Sequence, residues 1–175
     1  MLQGSYLDQL HCHHCQRQSF FVCTFKSFEL ALPPHGRVTL DELLESWCRE
    51  EFRKGYICEV CHAEGRTSQK AVVVENGWPS VLVISLKRFH GPHRKIHTSV
   101  AFPETWLPRA DIRYSLQGVL VHQGASQLVG HYTAYVRDSN AIWYHCDDSR
   151  PPRALKAEEA LRAQAYMLFY VRLDG

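Results

Sequence analysis

The segment 128–149, LVGHYTAYVRDSNAIWYHCDDS, gathers His131, Asp147 and Asp148 in one short stretch. An imidazole exchanges protons near neutral pH, and a carboxylate held against it fixes its tautomer and stabilises its cation. Such a pair ordinarily arms a nucleophile, although cross-strand His–Asp pairs also occur as structural contacts. Gly130 favours the chemical reading, because glycine lets another backbone approach closely. A second chemistry lies in two Cys-x-x-Cys pairs, Cys12 with Cys15 and Cys58 with Cys61. Two thiolates of one tight turn reach the same ion, and two such turns complete the tetrahedral site of structural Zn2+. His11, His13, His14 and His62 stand beside the thiols and are candidates to replace one of them.

Strand pairing must bring His131 to its acid. GHYTAYVR and AIWYHCD read as the two arms of a hairpin. In the register that sorts the faces best, Asp138, Ser139 and Asn140 form the loop and Arg137 opposes Ala141. Tyr132, Ala134, Val136, Ile142, Tyr144 and Cys146 then share an apolar face, and His131 opposes Asp147. Asn140 takes the left-handed loop position. Opposed Cβ atoms lie roughly 5 Å apart, so pairing alone puts His131 within reach of Asp147. A slip of one residue mixes the faces and pairs His131 with Asp148 instead. In the preferred register Asp148 points to the other side of the strand.

The remaining elements follow from periodicity and punctuation. SFFVCTFKSFELAL has strand character, and PPHGR turns the chain. Thr39 and Glu42 spell a capping box, with Val38 and Leu43 placed as a hydrophobic staple. Leu40, Leu43, Leu44, Trp47, Cys48 and Phe52 form a helical stripe, so a helix is expected over 40–53, ending before Gly55. Strands are expected in KAVVV, SVLVISLKRF, YSLQGVLVHQ and AYMLFYVR, with a short helix in LKAEEALRAQ. This order predicts an α+β protein with a largely antiparallel sheet. A strand and a helix fill the long interval between the Cys pairs, so the two turns can still meet.

Bulk properties exclude several classes. The 175 residues suffice for one domain with a real core, and a net charge of +2 gives no argument for a nucleic-acid partner. No apolar run approaches a membrane span, and the N-terminus has no basic-then-apolar signal pattern. A cytoplasmic or nuclear protein is the expectation. Seven cysteines, four of them in paired motifs, favour metal ligation over disulfides in a reducing compartment. Cys23, Cys48 and Cys146 stand alone and read as small buried hydrophobes.

Taken together, these motifs resemble the ubiquitin-specific proteases, papain-like deubiquitinases. LVGHYTAYVRDSNAIWYHCDDS looks like the family's histidine box, and SVLVISLKRF, KIHTSVAFPE and YSLQGVLVHQGAS look like the segments leading to it. LHCHHC and GYICEVC resemble its zinc-bearing fingers, and AYMLFYVR its closing strand. The resemblance spans nearly all of the chain. It implies an antiparallel palm sheet plus fingers, with fingers over about 1–75 and palm over about 76–175. It implies that His131 is the general base, that Asp147 orients it and that Asp148 supports it. Gly130 and Tyr132 would line the passage for the substrate's Gly-Gly tail, and Cys12, Cys15, Cys58 and Cys61 would bind Zn2+.

The family's Gly-Asn-Thr-Cys type nucleophile box has no counterpart in the sequence, so the N-terminal thumb subdomain is expected to be absent. Cys23, Cys48 and Cys146 are poorly placed to substitute, since a thiolate nucleophile needs exposure and a neighbouring base. The resemblance thus implies the C-terminal part of a thiol-dependent deubiquitinase, inactive in isolation. Its partners would be ubiquitin or ubiquitinated proteins and a complementary N-terminal fragment carrying the nucleophile. A catalytically inactive ubiquitin-binding module and a purely structural zinc module are the alternatives. Half of a papain-like domain would also expose an apolar face and associate readily.

Overall fold

Alternation of apolar and polar residues writes most of this chain as strand. The computed structural model describes residues 2–72, 77–91 and 94–173. In order, the elements are β1 (Gly4–Cys12), β2 (Gln18–Phe25), β3 (Ser27–Ala31), β4 (Arg37–Thr39), α1 (Leu40–Cys48), β5 (Glu51–Ile57) and β6 (Glu64–Val72). They continue with β7 (Val81–Lys87), β8 (Ser99–Ala101), β9 (Thr105–Arg109), β10 (Ile112–Gln123), β11 (His131–Arg137), β12 (Trp143–Asp147), β13 (Arg150–Leu155), α2 (Ala157–Leu161) and β14 (Ala165–Leu173). Val73 and Val74 of the expected KAVVV strand lie outside the described residues, as does the expected fingers–palm boundary near 75.

Two main sheets result. The smaller runs β2-β1-β6-β5 and the larger β13-β12-β11-β10-β14-β7-β3, with β9 on β10. Pairing is antiparallel throughout except for β3 with β7 and the small β4–β8 pair. β3 and α1, although within residues 1–75, join the large sheet and its core. β7 shows the governing pattern: Leu82, Ile84 and Leu86 are fully buried while Val81, Val83 and Ser85 face the other side. Phe28, Leu30, Leu40, Leu43, Trp106, Tyr114, Trp143, Leu168 and Tyr170 complete the core on that inner face.

Side-chain hydrogen bonds fasten the covering layer. Trp106 Nε1 donates to Asp41 on α1 at 2.7 Å. Arg88 is only 1% exposed and has carbonyls as its partners. Its Nε donates to Ala165 O, and Nη1 donates to Ile96 O at 3.2 Å and Thr98 O at 2.8 Å. Burial pulls its pKa down to about 10.

The capping box of α1 forms as the sequence implies: Glu42 N donates to Thr39 Oγ1, and Thr39 N donates to Glu42 at 2.7 Å. The helix is shorter than expected. It stops at Cys48, Arg49 turns extended, and residues 51–57 pair with β6 instead. Tertiary pairing overrides the helical stripe here, because Arg53 reaches Ser68 Oγ at 2.8 Å across the strands. Phe52, expected on the buried stripe, is therefore exposed on β5. Gly55 does not end a helix; it adopts φ 76° inside an irregularity of the β5–β6 pairing.

Candidate functional site

β11 opens on His131 and β12 closes on Asp147, so both side chains stand at one end of the large sheet. His131 Nε2 lies 2.5 Å from Asp147 Oδ1, and Nδ1 lies 3.7 Å from Asp148 Oδ2. Arg150 Nη1 donates to the second Asp147 oxygen at 2.9 Å. One carboxylate thus spans the imidazole and a guanidinium. The His131 hydrogen bond, followed by the charge of Arg150, holds the Asp147 carboxyl below its usual range against the opposing effect of desolvation. An ionised Asp147 accepts the Nε2 proton and leaves the Nδ1 lone pair free to take another.

The contact forms through a register that differs from the expected one. Arg137 pairs with Trp143 and Ala134 with Cys146, a shift of two residues. Asp147 therefore sits diagonal to His131 rather than opposite it, within reach of long side chains. The loop decides the shift. Asp138 Oδ1 accepts from Asn140 N at 2.9 Å and Ile142 N at 2.8 Å, holding a longer loop than the three residues expected. The left-handed residue is Ala141, φ 64°, and not Asn140.

Because a strand alternates with period two, the shift keeps every residue on its expected face. The inward face, however, is the one carrying Thr133 and Trp143, both buried, while Tyr132, Val136 and Ile142 of the apolar set are exposed. Asp148 also departs from expectation. It adopts φ 49° in the tight turn into β13, and this swings its carboxylate back toward His131 rather than across the strand.

Gly130 and His131 line a groove of about 420 Å³ with Gln123, Gly124, Ala125, Ser126 and Val129, whereas Tyr132 is exposed on β11 and is not one of its lining residues. A Cβ on Gly130 would stand 2.0 Å from His122 Nε2 and 2.8 Å from Gln123 O, so no side chain fits. Tyr132 packs against buried His122 with the rings tilted by 55° and their centroids 4.7 Å apart. Burial, then nearby Lys95, depress the His122 pKa and keep its ring neutral beside the glycine. Sequence reasoning missed His122 and Arg150. The signal for Arg150 was its place one tight turn past Asp147; His122 lay in an apolar strand and gave none.

The four paired cysteines converge. Their sulfurs all lie within 4.8 Å of one another, with Cys12–Cys61 and Cys15–Cys58 each 3.7 Å apart. Zn–S bonds of about 2.3 Å imply tetrahedral edges of about 3.8 Å, so the spacing fits a four-coordinate ion. The two turns repeat one geometry: Cys12 N donates to Arg17 O and Cys58 N to Ala63 O. Gln16 and His62, each following its second cysteine, both adopt positive φ. The backbone amide of Cys15 lowers the Cys12 pKa. Cys61, although drawn down by the Ala63 amide, is pushed up to about 11 by burial and the neighbouring thiols. Four thiolates cannot share that volume without a cation. His11, His13, His14 and His62 are not members of the cluster.

The ubiquitin carboxyl-terminal hydrolase family profile matches residues 1–170. The chain belongs to that family. Ubiquitin carboxyl-terminal hydrolase 23 of Arabidopsis thaliana is 33% identical over 97% of this chain and 21% of its own length. Ubiquitin carboxyl-terminal hydrolase 17-like protein B of Mus musculus is 30% identical over 97% of this chain and 38% of its own length. The chain thus spans a minor part of the curated relatives it matches. Among solved structures, the yeast SAGA DUB module containing Sgf73 superposes with a TM-score of 0.84 at 29% identity, covering 99% of this chain and 41% of that one. A Ubp8/Sgf11/Sus1/Sgf73 module bound to monoubiquitin superposes with a TM-score of 0.83, also at 29% identity. The fold is therefore that of the ubiquitin-specific deubiquitinases, mostly sheet with few helices. No helix among the described residues is long and apolar enough to cross a membrane.

Proposed function

We propose that this chain supplies the fingers and palm of a thiol-dependent deubiquitinase, with His131 as general base and Asp147 as the residue that orients it. The observation that supports this reading is the division of the imidazole: Nε2 is engaged by Asp147, while Nδ1 lies 3.7 Å from Asp148, on a residue that lines the groove. In the proposed reaction Nδ1 takes the proton of a cysteine thiol. The thiolate attacks the carbonyl of ubiquitin's terminal glycine, and the collapsing adduct expels the amine, which leaves with the proton from His131. His131 then deprotonates water to release the acyl group from sulfur. Asp148, 3.7 Å from Nδ1, supports the imidazole's cationic state. Gly130 and Tyr132 would flank the passage for the glycine tail, and the lack of bulk at position 130, which lines the groove, suits two glycines in extended form.

The thiol comes from a cysteine outside these residues, on a thumb subdomain or complementary fragment. Cys23 lies in β2 of the small sheet and Cys48 at the end of α1. Cys146 neighbours Asp147 but alternates to the opposite face of β12. Cys12, Cys15, Cys58 and Cys61 would hold a structural Zn2+ that stiffens the small sheet, which serves as the fingers within about 1–75, while β3 and α1 of that range pack with the palm of about 76–175. Ubiquitin or ubiquitinated proteins are the partners, in the cytoplasm or nucleus. Incubating the isolated chain with a fluorogenic ubiquitin substrate should give no turnover, while the chain extended by its nucleophile-bearing segment should be active and lose activity in His131→Ala. Turnover by the isolated chain that disappears in His131→Ala would overturn the assignment of the thiol.

A further inference from the structure

Eleven histidines are many for a chain of this size, and those beside the thiols are left unused by the sulfur cluster. His11 is the penultimate residue of β1, and His13 follows its end. They flank Cys12, which points inward and is fully buried, so the two imidazoles emerge together on the other side. Their ring centroids lie 4.9 Å apart. Glu50, in the link between α1 and β5, completes a group of three in which one donor atom from each residue lies within 4.8 Å of the others.

Neighbouring side chains hold this group in place. Gln16 Oε1 lies 3.1 Å from His11 Nε2, while Gln16 Nε2 donates to His13 O at 3.0 Å. Thr67, the β6 partner of His11, donates its hydroxyl to Glu50 Oε1. Outer partners of this kind orient ligands for a metal ion. Two imidazoles and one carboxylate select transition-metal dications over Ca2+ or Mg2+, which prefer oxygen.

We propose that His11, His13 and Glu50 form a second metal site, separate from the four-thiol cluster, for a transition-metal dication such as Zn2+ or Ni2+. Three protein ligands leave coordination positions to water, so this ion exchanges readily whereas the four-thiol ion does not. Its place gives it a mechanical role. Glu50 follows α1, whose Leu40 and Leu43 lie in the large core, and His11 belongs to the small sheet. An ion there ties the small sheet to the link that leaves the large core.

Calorimetric titration of Ni2+ into the zinc-loaded chain, free of any histidine tag, tests the site. One equivalent should bind at micromolar concentration without displacing zinc. His13 and Glu50 are exposed, so His13→Ala and Glu50→Gln should melt like the parent, and each should weaken Ni2+ binding by more than about tenfold. Absence of a Ni2+ equivalent, release of zinc on titration, or binding that survives in the double variant would each overturn the proposal. Loss in His13→Ala with no effect of Glu50→Gln would remove the carboxylate from the site and with it the tie to α1.

Discussion

Under the proposed zinc assignment, withdrawing the ion from the four-thiol cluster should melt the small sheet and leave the large one folded. The small sheet has little core of its own. Among the described residues, Leu10, Cys12 and Cys58 are buried toward its thiol end and Phe25 at its base, whereas Phe20, Phe21 and Val22 on β2 and Phe52, Tyr56 and Ile57 on β5 face solvent. Burying a leucine contributes about 1.5–3 kcal/mol, and fixing the backbone of each strand residue costs about 1–2 kcal/mol. A structural zinc ion contributes about 10–16 kcal/mol in small metal-dependent folds, which would make the proposed ion the dominant favourable term at this end of the molecule. The base of the sheet is anchored differently. Tyr6 packs edge-on against Trp47 at 5.1 Å, and Phe25 stacks on Phe28 at 4.3 Å. Hydrogen exchange should therefore show a gradient after chelation or in Cys58→Ser. Amides of Leu7–Leu10 and of Thr67–Lys70 should open with free energies below about 1 kcal/mol, while β7, β10 and β14 keep their protection. Protection of those β1 and β6 amides in the chelated protein would refute the reasoning. So would simultaneous loss in β7, β10 and β14, since the two sheets would then unfold as one unit.

Arg88→Met should cost about 2–5 kcal/mol by urea denaturation, because it orphans two buried carbonyls and one partly buried one, at about 1–3 kcal/mol for each buried group, while recovering the guanidinium's desolvation; a change under about 1 kcal/mol would contradict the assigned bonds. The lowered Asp147 pKa carries a defined sign: its stabilisation is fully present above the ordinary aspartate pKa of about 3.9 and is lost as pH falls through the lower folded value. Thermal melts of the parent and Asp147→Asn should therefore differ most at neutral pH and converge in acid; parallel curves would count against the pairing. Gly130→Ala should destabilise the chain by about 1–3 kcal/mol and displace the 124–130 loop, since the new methyl meets His122, itself packed by Phe89, Tyr132 and Tyr166. An unchanged melting temperature would show that His122 yields freely.

Local chemistry was the readable part of this sequence. The Thr39–Glu42 box, the paired thiols and the alternation in β7 each depend on neighbours a few residues apart, and each forms. What depended on distant partners was less legible. Nothing between 49 and 57 announced that β6 would claim those residues as a strand, and the stripe running through Phe52 argued for more helix. The Cys-x-x-Cys spacing said that each pair could share an ion, but only the pairing of β1 and β5 with the same strand, β6, brings the two pairs together. His122 was illegible for a similar reason: it looks like an interruption in an apolar strand until Gly130 is seen folded against its ring.

The hairpin depends on the parity of its register more than on the register itself. Its register differs by two residues from the one that sorts the faces best, because Asp138 caps the loop with two backbone bonds that face sorting does not weigh. An error of one residue would have sent His131 and Asp147 to opposite surfaces of the sheet. An error of two preserves parity, and the side chains of a histidine and an aspartate are long enough to meet along the diagonal. The Arg150 contact then acts on the same carboxylate from the next strand, where Asp147 and Arg150 are direct partners. The His131–Asp147 pair is thus held by strand alternation and by a tight turn, two constraints that tolerate change in the loop between residues 138 and 142. Lengthening or shortening that loop by two residues should leave the pair intact, whereas a change by one should separate it.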